Sequence, residues 1–260
     1  MASFTDRNQR VYERRSTAWY WGTELTAAEK NIFAHHAEDI DGKDVLDLGV
    51  GTGRTTRFLA PRAGRYLGID YSARMVALCR ERFPAVDIQL GDARDLSRTT
   101  SESFDFILFS FNGIDSVDHQ GRMRVLGEVF RVLRPGGVFA FSSHNLDAAG
   151  STFASRLLQS RTASNLYNLM NPVRVALAAH RLMRRLHNHA TNRRKEIRAE
   201  GYAILNDEAL EFALLQYYVT EREQIRQLQE VGFVEHVDVQ LHDIDAPSSL
   251  YYVTRRPAKR

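Results

Sequence analysis

Short runs of aliphatic and β-branched residues recur from Lys43 onward, and stretches with helical spacing of apolar residues lie between them. This alternation is typical of a parallel sheet covered by helices. Proline and glycine at 135–137 follow the last of these helices and predict its end. The predicted strands are 44–48, 65–69, 87–90, 104–109 and 137–142, and the predicted helices are 55–60, 73–83 and 121–133. We therefore expect five strands of a doubly wound α/β domain.

The pattern changes after the fifth predicted strand. Residues 145–207 show no clear strand, several helical stretches and many arginines, which predicts an inserted helical cap. A helix at 221–231 and strands at 233–241 and 250–254 then restore the regularity, and the two strands could pair as a closing hairpin. The expected fold is a Rossmann-like, mostly parallel, seven-stranded sheet with an antiparallel closing hairpin. Its expected parts are an N-terminal helical segment (1–42), the sheet domain (43–148 and 219–256) and an inserted helical lid (149–218).

Composition narrows the class of protein. The chain has 260 residues, 43% of them hydrophobic, which is enough for one large core with an appended cap. The formal net charge of +3 is too mild to imply a nucleic-acid partner. Cys79 is the sole cysteine, so a disulfide within the chain is excluded. No stretch approaches the ~18 apolar residues of a membrane span, so we expect a cytoplasmic protein with no membrane partner.

A glycine-rich turn, Asp47–Gly53, follows the first predicted strand and opens a helix. Gly49, Gly51 and Gly53 lack the Cβ atoms that would block a close approach of the backbone to a ligand. Arg54 stands where a dinucleotide fingerprint requires its third glycine, and the Gly-Lys pair of a phosphate loop is absent. The turn therefore favours a nucleoside ligand without phosphates.

Carboxylates also follow the second and third predicted strands. Asp70 stands 23 positions after Asp47 (70 − 47) and could accept hydrogen bonds from both hydroxyls of a ribose. Asp92, within Gly91-Asp92-Ala93, is placed to accept from an adenine amino group. Each aspartate alone is equally compatible with a helix cap or a solvated loop charge. The specific signal is the set of three carboxylates at successive strand ends.

Four segments, 45–53, 68–72, 91–93 and 133–137, resemble in order and spacing the successive motifs of the class I S-adenosylmethionine (SAM) dependent methyltransferases, small-molecule types 11 and 25. The resemblance implies a methyltransferase with SAM as cofactor and S-adenosylhomocysteine (SAH) as product. It implies that the methionine moiety lies over the glycine turn, the ribose at the second carboxylate, the purine near the second and third strand ends, and the methyl group after the fourth strand. The residues so implied are Asp47, Gly49, Gly51, Gly53, Asp70, Tyr71, Met75, Asp92, Ala93, Ser110 and Phe111.

Methyl transfer from a sulfonium is an in-line displacement, so we expect no metal, and alignment can supply most of the acceleration. An oxygen or nitrogen acceptor can still need a base. His144, after the fifth strand, has the intrinsic pKa for that role, although it could equally cap the start of the insertion. Asn112, Asp115 and Asn145 are candidates for binding a polar acceptor, and Asn112-Gly113 is equally compatible with a simple turn.

Two aromatic residues, Tyr20 and Tyr217, are candidate walls of an acceptor pocket. Each could contact the acceptor or face the sulfonium by cation–π attraction. The alternative for both is ordinary packing, because aromatic residues at helical spacing usually pack. Their assignment therefore waits on the structure.

The insertion carries eight Lys or Arg and two acids between Met170 and Glu200. Val173, Leu177, Leu182 and Leu186 are interpreted as a stripe that packs this helix onto the protein. Three interpretations stay open: a solvated face, a lid over an anionic small substrate, or an RNA-binding surface. We expect methyl transfer to O or N of a small-molecule acceptor, and a homodimer is compatible with the sequence. The alternatives are an RNA methyltransferase and a SAM-binding protein without catalysis.

Overall fold

The computed structural model describes residues 4–14, 24–149, 172–234, 237–243 and 246–259. Within them, a ten-stranded sheet is flanked by helices. The helices are α1 (Phe4–Arg14), α2 (Ala27–His35), α3 (Ala37–Ile40), α4 (Thr56–Leu59), α5 (Ala73–Arg82), α6 (His119–Val132), α7 (Pro172–Arg193), α8 (Ala209–Phe212) and α9 (Glu221–Glu230). The strands are β1 (Asp44–Leu48), β2 (Arg65–Asp70), β3 (Ile88–Leu90), β4 (Phe104–Phe109), β5 (Leu133–Asn145), β6 (Ile197–Arg198), β7 (Tyr202–Asn206), β8 (Leu215–Val219), β9 (Asp238–Asp243) and β10 (Ala246–Arg255).

The sheet has the doubly wound order β3-β2-β1-β4-β5, and all of these neighbours are parallel. β10 lies antiparallel beside β5, and β9 lies antiparallel beside β10. This arrangement confirms the Rossmann-like α/β fold and its closing hairpin. The carboxyl ends of β1 to β5 meet at one edge of the sheet, where open α/β folds bind ligands.

The insertion differs from the expected all-helical lid, because it adds β6, β7 and β8 to the sheet. β8 runs parallel to β5 through the pairs His144↔Tyr218 and Asn145↔Val219, and β7 and β6 follow antiparallel. All five residues of β8 are buried. A strand buried on both faces shows no alternation of polar and apolar residues, so the periodicity gave no strand signal there.

The core lies on both faces of the sheet, as alternating side chains of β1 illustrate. Val45 packs in one cluster with Ile32 and Phe33 of α2, and Leu46 packs in the other cluster with Val129 of α6. Successive residues of a strand point to opposite faces, so the apolar run of β1 serves both layers. None of the described helices combines the length and apolarity needed to cross a bilayer.

The N-terminal helix α1 lies over the carboxyl edge of the sheet, which agrees with the helical segment expected before the first strand. The buried Asn8 side chain holds it there: Nδ2 donates to the carbonyls of Ser116 (3.2 Å) and Leu215 (2.7 Å), and Oδ1 accepts from the Leu215 amide (3.3 Å). Gln9 Nε2 donates to the Tyr71 carbonyl at 2.7 Å. These contacts join α1 to both the insertion and the end of β2.

Candidate cofactor and acceptor site

A cavity of about 280 Å³ opens at the carboxyl ends of β1 to β4. Ten of the predicted cofactor residues line it, which places the sequence motifs around one space. They are Asp47, Gly49, Gly51, Asp70, Tyr71, Met75, Asp92, Ala93, Ser110 and Phe111. Tyr12, Glu24, Thr26 and Arg54 complete much of the wall.

The glycines of the turn serve packing as well as ligand approach. A Cβ on Gly49 (φ +66°) would lie 2.8 Å from a ring carbon of Phe109. A Cβ on Gly53 (φ +87°) would lie 2.4 Å from a ring carbon of Phe83 and 2.9 Å from Cys79 Sγ. Gly53 is not part of the cavity wall. Its predicted ligand contact is therefore replaced by a structural role, which is to seat the turn on α5.

Asp47 is buried beneath the glycine turn. Its Oδ2 accepts from Thr55 Oγ1 (2.6 Å) and Tyr66 OH (2.8 Å). Burial raises the pKa of Asp47 to about 7, although both hydrogen bonds act in the opposite direction. A carboxylate with this pKa would favour a cationic group nearby, such as the amino group of a methionine moiety.

Asp70 ends β2 with its side chain almost fully buried. Oδ2 accepts from the Gly51 amide and Oδ1 from the Ser72 amide, both at 2.9 Å. An ionised carboxylate offers about four lone-pair sites, so acceptor capacity remains for hydroxyl groups of a ligand. Burial raises the pKa of Asp70 to about 6, because it outweighs the backbone hydrogen bonds.

Asp92 reaches the cavity wall but already has a strong partner. Arg94 Nε donates to both oxygens at 3.0 Å, and its NH2 donates to Oδ2 at 2.6 Å. The Arg94 amide also donates to Oδ1 at 2.9 Å. A bidentate arginine occupies much of the capacity of a carboxylate. Recognition of the adenine amino group by Asp92 therefore stays a prediction. It requires the Asp92 carboxylate to accept from the ligand as well as from Arg94.

The walls near the ends of β2 and β3 are aromatic and aliphatic, as a purine would require. Tyr71 lies with its ring centroid 6.1 Å from that of Tyr12, across from α1. Met75 is 3% exposed, and its amide is capped by Ser72 Oγ at the start of α5. Glu13 of α1 caps the same helix by accepting from the Ala73 amide at 2.7 Å. This side of the cavity thus combines apolar walls with a lid of α1.

A buried cluster around Glu29 was not anticipated. Glu29 Oε2 and Oε1 accept from Arg54 NH1 (2.5 Å) and NH2 (2.6 Å), and Oε1 also accepts from Ser110 Oγ and from Tyr251 OH (3.0 Å). Burial alone would raise the pKa of Glu29, but the hydrogen bonds and charge of Arg54 outweigh it and lower the pKa. The Thr26-x-x-Glu29 capping box was a visible signal for the start of α2; nothing in the sequence indicated that Glu29 pairs with Arg54.

The segment after β4 adopts an unusual backbone. Phe111 (φ +54°) and Asn112 (φ +59°) are both left-handed, and Phe111 is 59% exposed at the cavity mouth. The Asn112 amide donates to Ser142 Oγ (2.7 Å), and Nδ2 donates to Ser249 Oγ (2.8 Å). A left-handed bulky residue costs about 1–3 kcal/mol and is frequent at functional sites. Asn112 thus forms the turn, and its amide nitrogen is used internally rather than offered to an acceptor.

His144, at the end of β5, is paired with Asp115 from the 3₁₀ turn Gly113–Ser116. Asp115 Oδ2 lies 2.7 Å from His144 Nδ1 and accepts from the His144 amide at 2.7 Å. Burial alone would lower the pKa of His144, but the hydrogen bond and charge of Asp115 outweigh it and raise the pKa. A carboxylate on Nδ1 fixes the tautomer and leaves Nε2 as the reactive nitrogen.

Asp115 and Tyr217 do not bind an acceptor directly, because both side chains are fully buried. Arg122, also fully buried, donates to Asp115 Oδ1 at 2.6 Å and to Ser143 Oγ at 3.0 Å, and its guanidinium lies 4.6 Å from the Tyr217 ring centroid. The predicted substrate roles of Asp115 and Tyr217 are therefore corrected. Both belong to the support beneath His144, since burying a carboxylate requires a charged partner.

The other side of His144 is formed by residues of the insertion. The Tyr218 ring stacks on the imidazole with centroids 4.7 Å apart, and Tyr218 OH donates to Asp207 Oδ2 at 2.5 Å. Sequence reasoning missed Asp207, which directly follows β7, a strand that the periodicity did not reveal. Asn145 Oδ1 accepts from the Asp147 amide at 3.0 Å, as in a turn. Tyr20 lies outside the described residues.

Comparison with known proteins bears on the same segments. Residues 45–137 match the family model of the methyltransferase domain. The chain is 37% identical over 114 residues to a probable SAM-dependent methyltransferase of Mycolicibacterium smegmatis, covering 44% of the chain and 43% of that relative. It is 36% identical over 109 residues to a fatty-acid O-methyltransferase of the same species, covering 40% of the chain and 38% of that relative. The matched parts thus span less than half the length of each relative.

The fold is similar to that of the Burkholderia thailandensis 1,6-didemethyltoxoflavin-N1-methyltransferase, with a TM-score of 0.61 and 14% identity. The superposition covers 99% of this chain and 92% of that one, which was solved with its acceptor and SAH bound. At this identity the likeness establishes the fold alone.

The donor set of the cavity fits SAM. Its described wall contains the carboxylates of Asp47, Asp70 and Asp92, which suit the cationic sulfonium and amino groups of that molecule. The one cation in that wall, Arg54, is held by Glu29, so little positive charge remains for phosphates. The match of residues 45–137 to the methyltransferase domain, the sheet order and this donor set agree, and they support SAM as the cofactor of a chain that has the fold of the class I SAM-dependent methyltransferases.

Proposed function

We propose that this protein transfers the methyl group of SAM to an oxygen or nitrogen of a small-molecule acceptor, with His144 as the general base. The observation that carries the proposal is the pairing of His144 Nδ1 with the buried Asp115 carboxylate at 2.7 Å. This pairing lies at the same sheet edge as the cavity, whose wall includes Ser116 of the neighbouring turn.

SAM supplies an electrophilic methyl group on a sulfonium. Within the chain, Asp70 would hold the ribose and Asp47 would face the methionine amino group. Ser110 and Phe111, at the end of β4, would border the methyl group. Fixing donor and acceptor in line supplies most of the acceleration in such a displacement.

His144 Nε2 would take the proton that an acceptor hydroxyl or amine loses as it attacks. Asp115 is a positioning residue, since it acts through the imidazole: it holds the ring and stabilises the imidazolium that forms. Arg122 in turn holds the Asp115 carboxylate in place by pairing with Oδ1. General-base catalysis of this kind contributes about 10²–10⁴-fold to a rate.

The acceptor class follows from chemistry and from the relatives. One relative is a fatty-acid O-methyltransferase, which makes oxygen the first acceptor atom to test. The neighbouring Tyr218 and Phe111 are aromatic, which suits an acceptor with an apolar part. An RNA acceptor has less support, because α7 carries no Phe, Tyr or Trp that could stack on bases.

The test offers labelled SAM and the protein to separate panels of fatty acids, hydroxylated small molecules, amines and RNA. We expect label in one of the small-molecule panels. For the base, His144→Gln is expected to lower kcat about 10²-fold or more while the Kd for SAH stays within twofold of wild type. Exposed His35→Gln is the matched control and should leave both unchanged.

The pH profile separates a base from a merely structural histidine. Only the neutral imidazole accepts a proton, so kcat/KM should rise with pH through the raised pKa of His144. Asp115→Asn removes the interaction that raises the pKa of His144. It should therefore move the rising part of the kcat/KM profile to lower pH and also lower the plateau of kcat/KM. Full turnover by His144→Gln would remove the base from the proposal, and label in RNA alone would overturn the small-molecule acceptor.

A further inference from the structure

Helix α7 has an unusual charge composition. Its 22 residues include five arginines and three histidines but no Asp or Glu, and Arg194 and Lys195 follow directly. Arg184 forms an ion pair with Glu211 at 3.2 Å. The helix therefore carries a concentrated positive charge at the surface of the insertion.

Polar side chains join α7 to the rest of the protein. Asn188 Nδ2 donates to the Glu211 carbonyl and Asn192 Nδ2 donates to the Phe212 carbonyl, both at 2.8 Å. His189 Nδ1 lies 3.1 Å from Asn206 Oδ1. These three residues are spaced on one side of the helix, and Asn192 is fully buried. The side of α7 that faces the body is thus polar, which is the reverse of an ordinary surface helix.

Val173, Leu177, Leu182 and Leu186, the predicted stripe, are 65%, 53%, 44% and 42% exposed, so the stripe is not buried against the residues that the structure describes. Leu177 and Leu182 are five residues apart, so at 3.6 residues per turn they point in directions about 140° apart. The four positions therefore could not form one stripe.

A different set of apolar residues shares one solvent-facing arc. We define the apolar face of α7 as Val175, Leu182, Met183 and Leu186, which are 41%, 44%, 67% and 42% exposed. Helical geometry places them within an arc of about 100°, away from Asn188 and Asn192. The residues that the structure describes leave this face uncovered.

We propose that the apolar face of α7 docks the protein on an anionic lipid surface. A helix with an apolar face, a basic polar face and no acids is the pattern of a peripheral helix lying in the plane of a membrane interface. The expectation of no membrane partner rested on the lack of a spanning segment, and a helix that lies on a bilayer spans nothing.

Charge decides against two other occupants. A second copy docked through this face would place two α7 helices side by side, each with five arginines and no acid. A nucleic acid would satisfy the arginines but leave Leu182, Met183 and Leu186 in water, and α7 has no Phe, Tyr or Trp to stack on bases. An anionic bilayer satisfies both the charges and the apolar side chains.

The test is co-sedimentation of the full chain, without SAM, with vesicles of phosphatidylcholine alone or mixed with phosphatidylglycerol. We expect binding to the anionic vesicles that weakens as salt is raised, and little binding to the neutral ones. Leu182→Ser combined with Met183→Ser should weaken binding at least about tenfold. Val234→Ser, at an apolar residue that is 68% exposed elsewhere, is the matched control and should bind as wild type.

Charge removal provides the second arm. Arg181→Gln and Arg194→Gln should each weaken vesicle binding about fivefold, whereas exposed Arg98→Gln should not. SAH affinity measured on every variant checks that the cofactor domain is intact, and the vesicle result does not depend on methyl transfer. Three results would each overturn the proposal: absence of vesicle binding at low salt, unchanged binding by the Leu182 and Met183 double variant, or a wild-type dimer that this variant converts to a monomer.

Discussion

At the scale of single residues, burial gives two aspartates unusual protonation. The pKa of Asp70 is raised to about 6 and that of Asp47 to about 7, both by desolvation. A buried carboxyl above its ordinary pKa binds its proton more tightly in the folded than in the unfolded protein. It therefore lowers the stability as pH rises from about 4 toward the folded pKa. Cofactor affinity and protein stability should respond oppositely to pH in that window.

Protonation of Asp70 should weaken cofactor binding at low pH. Ribose hydroxyls need the ionised carboxylate as acceptor, so SAH affinity should fall about tenfold per pH unit below about 6. Asp70→Asn should bind weakly at pH 7.5 and lose this pH dependence, as measured by calorimetry between pH 5 and 8. Glu81→Gln, at an exposed carboxylate, should retain it. An unchanged pH dependence in the Asp70 variant would contradict the ribose assignment.

Replacing Asp47 should raise the stability of the protein and lower its affinity for the cofactor. Asp47→Asn removes a buried charge while keeping an oxygen for Thr55 and Tyr66, so the free energy of unfolding at pH 8 should rise by about 2 kcal/mol. The gain should shrink toward zero below about pH 3, where the carboxyl is protonated in both the folded and the unfolded state. Urea unfolding at both pH values measures it, and SAH affinity should fall. If the stability gain of Asp47→Asn over wild type were smaller at pH 8 than at pH 5, the result would argue against a buried charge at this position.

At the scale of elements, α1 determines how the cofactor cavity is closed. Tyr12 lines the cavity, Glu13 caps α5, and Asn8 joins the helix to β8 and the 3₁₀ turn. The helical character of this segment was predictable from the sequence. Its docking was not, because an asparagine in a polar helix looks like a solvated residue until its partners, more than 100 positions away, are known.

Asn8→Ala tests that closure. The substitution removes three hydrogen bonds to Ser116 and Leu215, so it should destabilise the docked helix by about 1–2 kcal/mol. We expect SAH to dissociate about tenfold faster, measured by stopped-flow displacement, with a smaller change in association. Arg10→Ala, on the exposed side of α1, serves as the control. Equal dissociation rates for Asn8→Ala and wild type would mean that α1 does not retain the cofactor.

At the scale of the whole molecule, the sequence revealed the cofactor half well and the acceptor half poorly. The first five strands alternate with helices and carry local motifs, so their order was predictable, and ten of the eleven candidate cofactor residues line one cavity. Gly53 does not line it and packs toward Phe83, and a glycine required by Phe83 looks the same in the sequence as one required by a ligand. The Asp115 to His144 pairing joins a 3₁₀ turn to the end of β5, 29 positions away. Neither residue has a local pattern that indicates the other.

The strands of the insertion illustrate a second limit. β7 and β8 are buried almost throughout, so their apolar runs resemble buried helical segments. The apolar spacing of Val173, Leu177, Leu182 and Leu186 in the same insertion predicted a helix packed through these residues, whereas Asn188 and Asn192 donate hydrogen bonds to the body. In both cases the sequence indicated amphipathic or apolar character, and tertiary contacts decided which side is covered.

The route by which the insertion leaves and re-enters the sheet has a consequence for diversification. The chain departs after Asn145 and returns along β8 to Val219, the in-register neighbour of Asn145, and the Leu146 amide donates to the Val219 carbonyl at 3.0 Å. The two junctions are therefore one strand spacing apart, about 4.8 Å. A segment of any length could be exchanged between them without rerouting the rest of the backbone. Recombination at these junctions could exchange the insertion, and with it the acceptor, while the cofactor-binding part of the sheet stays the same.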